Sequence, residues 1–157
     1  MPRRSILIVI AFCLAGALAC LAADNGTMGT WKLNEAKSKI PAGAGKNPTV
    51  VYSAEGDKVK CVVDGVDASG NAIHNEWVGK FDGKDYPLVG DPTADSRSYK
   101  MTDARHYQLW NKKGGKVVTS GTIVYTADGK SRTVTTHSVD AKGKKMTIVQ
   151  VYDKQAE

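Results

Sequence analysis

Three kinds of side chain in this sequence are able to do chemistry: histidines at 74, 106 and 137, a cysteine at 61, and two arginine–tyrosine pairs, Arg97 with Tyr99 and Arg105 with Tyr107. Histidines from different strands ligate a metal only when several converge on one inward face. His74 shares its row with Glu76 and Lys80, and His137 alternates with Thr133 and Thr135, so both read as surface residues and no metal is expected. Cys61 sits between Val59 and Val63 in an apolar row, where a small thiol packs as a hydrophobe. A serine nucleophile needs a base and an orienting group, and the chain has no Gly-x-Ser-x-Gly turn to present one.

The arginines carry the more specific possibility. Arg97, Tyr99 and Met101 alternate on one face, as do Arg105, Tyr107 and Leu109, and only the turn Thr102-Asp103-Ala104 separates the two rows. Facing inward, two guanidinium forks would clamp a carboxylate bidentately. Facing outward they are solvated, and the tyrosines merely cover the sheet. Sequence leaves this parity open, with the outward reading taken first. Gly114-Gly115 leads into a strand instead of a helix, so it is a hairpin turn and no phosphate cradle. The aspartates of Asp82-Gly83-Lys84-Asp85 and Asp91-Pro92-Thr93-Ala94-Asp95 read as turn residues, since neither run offers a full calcium ligand set.

What must position these groups is a succession of strands. From residue 48 the chain alternates runs rich in Val, Thr, Tyr and Ile with eight turns built from Gly, Asp, Asn or Lys. The spacing of roughly 9 to 15 residues leaves strands of about 6 to 10. Together with the stretch around Gly29-Thr30-Trp31 this predicts nine or ten strands in an up-and-down meander. Within the runs, Ile73, Trp77, Gly79 and Phe81 oppose Ala72, His74, Glu76 and Lys80, and Val59, Cys61 and Val63 oppose Lys58, Lys60 and Asp64. One face is buried and the other is wet. An uncovered sheet of this width exposes two edges, and closing it into a barrel removes them. The fold class is all-β, one closed barrel, with a curved open sheet or a β-sandwich as the alternative. No helical period follows the leader; residues 34–39 allow a single turn.

The first residues, Met1-Pro2-Arg3-Arg4, precede an uncharged stretch from Ser5 to Ala23 that ends in small residues, the pattern of a secretory leader. The reading is a signal peptide over 1–22 and one barrel domain over 23–157, placed in the periplasm or the medium. Ala17-Leu18-Ala19-Cys20 is a loose lipobox, so the alternative is a lipoprotein anchored through Cys20. Removing Arg3 and Arg4 from the 22 basic residues leaves 20 against 16 acidic ones, a formal net charge of +4. Those lysines are dispersed among turns, which argues against a nucleic-acid partner. Outside the leader only Cys61 remains, so no internal disulfide is possible.

Gly29-Thr30-Trp31-Lys32-Leu33 opens the domain and Val149-Gln150-Val151-Tyr152-Asp153-Lys154 closes it. This pair resembles the first and last strands of lipocalins and fatty-acid-binding proteins, the calycin group, and the string from Gly29 to Lys39 is similar to short secreted bacterial proteins of unassigned function. The resemblance implies that Trp31, after Gly29, plugs one end of a barrel, with Lys154 over its ring as a cation-π partner.

The function expected is therefore non-catalytic: an exported monomeric barrel, without cofactor, holding a small apolar or amphipathic ligand near Trp77, Phe81, Arg97, Tyr99, Arg105 and Tyr107. The alternative is a cell-envelope interaction module whose barrel is filled by Trp31, Val59, Val63, Trp77 and Phe81 and whose outer surface does the work. A barrel enzyme of isomerase or lyase type is the third possibility, with no motif behind it.

Overall fold

The computed structural model describes residues 26–140 and 142–156; the expected leader and Cys20 lie outside the described residues. Alternating apolar and polar residues, punctuated by glycine turns, form ten strands: β1 (Gly29–Leu33), β2 (Lys46–Glu55), β3 (Lys58–Val66), β4 (Ala72–Gly79), β5 (Tyr86–Val89), β6 (Ser96–Met101), β7 (His106–Lys113), β8 (Lys116–Tyr125), β9 (Ser131–Val139) and β10 (Lys145–Lys154). One 3₁₀ turn, Glu35–Lys37, follows β1, with the Asn34 side chain accepting from the Lys37 N–H.

Each strand pairs antiparallel with its sequence neighbour, and β1 pairs with β10, so the sheet closes into a barrel. The open-sheet and sandwich alternatives are thereby set aside. Closure sets Trp31 opposite Lys154 and Leu33 opposite Tyr152, and it is extended by the Asn34 N–H to the Val151 carbonyl at 2.8 Å. The wall is thinnest at β5, whose four residues include Pro87, which has no N–H to donate. There the buried Ala94 and the Leu88 N–H to Asp95 carbonyl bond at 3.0 Å complete the seal.

Alternation sends one row of every strand into the lumen. At the end where β1 begins, rings pack edge to face: Trp31 with Tyr125 at 5.4 Å, Tyr125 with Tyr107 at 5.4 Å, and Tyr107 with Phe81 at 5.1 Å. Trp77 continues the cluster, stacked on Phe81 and edge-on to Tyr99. The segment before β1 covers these rings: Trp31 Nε1 donates to the Thr27 carbonyl at 2.9 Å, and the buried Thr27 hydroxyl meets that of Tyr107 at 3.2 Å. This end is plugged. Polar residues gather toward the opposite end, the mouth.

Candidate functional site

Two arginines occupy the lumen. Arg132, on β9, is 2% exposed, and Arg97, on β6, is 7% exposed. The local cause is the period of two: Ser131, Thr133, Thr135 and His137 face out, which turns Arg132, Val134 and Thr136 inward. On β6 the same rule turns Arg97 and Tyr99 inward, so the outward parity taken from sequence is corrected for that row. Its partner row divides. Tyr107 and Leu109 point in, whereas Arg105 precedes β7 on the exposed turn, beyond the barrel rim.

Arg132 is enclosed by aromatic rings. Its guanidinium carbon lies 4.8 Å from the Trp31 ring centroid, 5.0 Å from Tyr52, 5.0 Å from Tyr152 and 5.9 Å from Tyr125. Such contacts are worth about 0.5–2 kcal/mol each, which offsets much of the desolvation of the charge. Rings, however, offer no lone pair, and an arginine carries five N–H donors. One Nη1 donates to the Tyr125 hydroxyl at 3.3 Å; Nε, although buried, has no hydrogen-bond partner.

Arg97 is held by neutral amides: Nε donates to Asn111 Oδ1 at 2.8 Å and Nη1 to Asn75 Oδ1 at 3.5 Å. Its carbonyl accepts from Trp77 Nε1 at 2.8 Å, which ties it to the plug. None of the ion pairs among the described residues involves either arginine. Asp91, in the loop before β6, acts on Arg97 only through space. Among the described residues, no carboxylate or histidine is buried.

Between the two guanidiniums lies a cavity of about 80 Å³, bounded also by Tyr52, Tyr99, Tyr152 and Gln150. Burial pushes the Tyr99 phenol up to about 12 and raises Tyr52 and Tyr152 as well. Burial also opposes the charge of Arg132, but the phenols of Tyr52, Tyr125 and Tyr152 around it hold its pKa above the ordinary arginine value. The lumen therefore keeps two fixed cations and neutral hydroxyls near pH 7. Tyr152 spends its hydroxyl proton on Gln150 Oε1 at 3.1 Å, which also accepts the Asn47 N–H at 3.0 Å.

No protein-family model matches the sequence, and no curated protein matches it. The assignment of a function therefore rests on the geometry of the lumen.

The structure gathers some of the sequence candidates and scatters others. Arg97 and Tyr99 line the cavity; Trp77, Phe81 and Tyr107 belong to the aromatic plug; Arg105 is outside. Lys154 Nζ lies 5.7 Å from the Trp31 ring and donates to the Gly26 carbonyl at 3.1 Å, with Gly29 leaving room for its stem. The histidines sit on the outer faces of β4, β7 and β9; His74 is raised by hydrogen bonds to Asp64 and Glu76. Asp82 and Asp91 cap their own turns through the Lys84 and Thr93 N–H groups.

Arg132 escaped the sequence reading. Its signal was present, because the row opposite Thr133, Thr135 and His137 contains Arg132 beside Val134. Asn75 was legible in the same way, in the row of Ile73, Trp77 and Gly79.

Proposed function

We propose that this chain is a non-catalytic binding protein whose barrel holds a small ligand in the lumen, between β6 and β9. The observation that carries this reading is the buried Nε of Arg132, a hydrogen-bond donor without an acceptor on a residue that lines a lumen cavity. Buried polar groups in folded proteins are almost always satisfied, so an orphaned one marks the place of a missing partner. The elevated tyrosines point the same way: groups with fixed protonation states near neutrality suit holding a ligand better than moving protons.

Native mass spectrometry of protein purified from its source, followed by organic and aqueous extraction, tests the proposal. A mass above that of the polypeptide, removed on denaturation, is the expected result. A native mass equal to the bare chain, with no thermal shift from a panel of charged and neutral small molecules, would sink it.

A second reading has its own observation. The lumen is mostly filled, and Val117 and Val139 stand 53% and 59% exposed near the mouth, as a module working through its outer surface would have them. Loss of partner capture on Val117→Asp, with lumen binding absent, distinguishes that case. Export and a lipid-free mature protein remain part of the proposal, on the basis of the arginine-flanked leader.

A further inference from the structure

Resting on the lumen-binding reading above, we infer that the ligand is a compact, singly charged planar oxyanion, such as a short carboxylate or nitrate, seated on the Nε edge of Arg132 and facing Arg97. Four observations converge on this.

The first is charge. Two guanidiniums are more than nine-tenths buried, and no ion pair among the described residues involves either of them. Asn75 and Asn111 accept hydrogen bonds from Arg97 without neutralising it. Two cations facing one low-dielectric cavity raise the affinity for a negative occupant and lower it for a neutral one of the same shape.

The second is the open donor. Nη1 of Arg132 is committed to Tyr125, while Nε is not committed at all. Arg132 lines the cavity with this N–H unused, and a guanidinium edge fits planar carboxylates and related oxyanions in a two-point contact. A spherical halide would use that edge less well.

Size is the third. An apolar cavity of about 150 Å³ accommodates benzene; the cavity here is about 80 Å³. That admits about three to five non-hydrogen atoms. An acyl chain has no room, because the plug of Trp31, Tyr107, Tyr125 and Phe81 occupies the end into which it would extend.

The fourth is the set of neutral donors. Tyr99 bounds the cavity and feels both guanidiniums, yet burial keeps its phenol protonated. A protonated phenol can donate to an anion and does not compete with it as a negative charge. At the mouth lies a cleft of about 440 Å³ lined by Thr119, Ser138 and Asp140. Thr136, two residues before Ser138 on β9, lines the inner cavity. Lys113, Lys116, Lys142 and Lys144 stand exposed on the hairpin tips beside this cleft and raise the local concentration of anions.

The test is calorimetric titration and thermal denaturation of the full mature chain with formate, acetate, nitrate, chloride, acetamide and dodecanoate, at constant ionic strength made up with gluconate. Formate, acetate or nitrate is expected to bind saturably at one site, with acetamide at least about tenfold weaker. Arg132→Met is expected to weaken binding about 10- to 100-fold, and Arg105→Met, outside the barrel, to leave it unchanged. If Arg132→Met fails to fold, Arg97→Met and Arg132→Lys serve, the latter because an ammonium cannot present the two-point edge. Tighter binding of dodecanoate or acetamide would overturn the compact-anion inference while leaving a lumen-binding protein in place. Preference for chloride would overturn the planar geometry. Binding of nothing in the set, in protein stripped of endogenous ligand by unfolding and refolding, would overturn the inference; only failure of the native-mass test as well would remove the broader reading.

Discussion

Arg132 shows a conflict between stability and function at a single residue. Taking a guanidinium out of water carries a penalty of several kcal/mol, and a well-packed apolar residue of similar volume in its place is often neutral or stabilising. Arg132→Met, with its flexible thioether among the rings of Trp31, Tyr52 and Tyr152, is therefore expected to leave the ligand-free domain as stable or to stabilise it by about 1–4 kcal/mol. Chemical denaturation of the two proteins without ligand checks this; a loss of several kcal/mol would mean that Arg132 is structural. The phenols give a second expectation. In the folded barrel Tyr99 ionises at about 12, above its ordinary value of 10.0, and Tyr52 and Tyr152 are raised too. Below pH 10 both the folded and the unfolded chain keep these protons. Above it the unfolded chain loses them first, so stability falls as pH rises from 10 toward 12, by up to about 3 kcal/mol for Tyr99 alone. Denaturant midpoints across that range, with tyrosinate absorbance of the native protein, measure the effect. Full ionisation of the native tyrosines near pH 10 would contradict it.

At the scale of strands, Gly79 decides how β4 meets β5. A Cβ at this position would stand 2.5 Å from Trp77 Cζ2 and 2.6 Å from Tyr86 Cδ2, closer than packed atoms allow. Gly79→Ala is expected to cost about 1–3 kcal/mol by displacing the rings, read as a lower thermal midpoint, whereas Gly143→Ser in an open turn is strained only by its φ of 79°. The strand count, the meander and closure were legible because each depends on local signals: glycine turns, alternation, and edges that must be removed. The parity of β6 and β7 was not, because Arg97 and Arg105 both sit beside tyrosines and both tolerate water. What separates them is long-range: Arg97 pairs across β5 at Tyr86 and across β7 at Asn111, inside the wall, while Arg105 falls on the turn. Trp31 opposite Lys154 could be read from the two ends of the sequence. The arginine pair in the lumen could not, since β6 and β9 meet only through the closed barrel.

The described barrel is closed by its first and last strands, and this bounds where the proposed leader could be removed. Residues 26–28 are part of the plug: the Gly26 carbonyl accepts from Lys154 Nζ, the Thr27 carbonyl from Trp31 Nε1, and the Thr27 hydroxyl meets Tyr107. Thr27 is 2% exposed. A mature protein starting just after Ala22 keeps all three contacts with a few residues to spare, and so does one starting at a lipidated Cys20. The fold thus tolerates either cut, and the intact mass of the mature protein, with or without acyl chains at Cys20, distinguishes them; the lipid-free mass is expected. A cut at Gly29 is a different matter. It removes all three hydrogen bonds, worth about 1 kcal/mol each, and takes from the buried indole N–H of Trp31 its acceptor. A chain beginning at Gly29 is therefore expected to fold with a thermal midpoint lower by about 5–15 °C, and to lose little affinity for its ligand, because Arg97 lies toward the mouth and Arg132, although packed on Trp31, keeps its contacts with Tyr52 and Tyr152. Equal midpoints for chains beginning at residue 23 and at Gly29 would show that the barrel closes without its leading segment. Loss of ligand affinity in the shorter chain would show that the leading segment, through Trp31, holds Arg132 in its binding position.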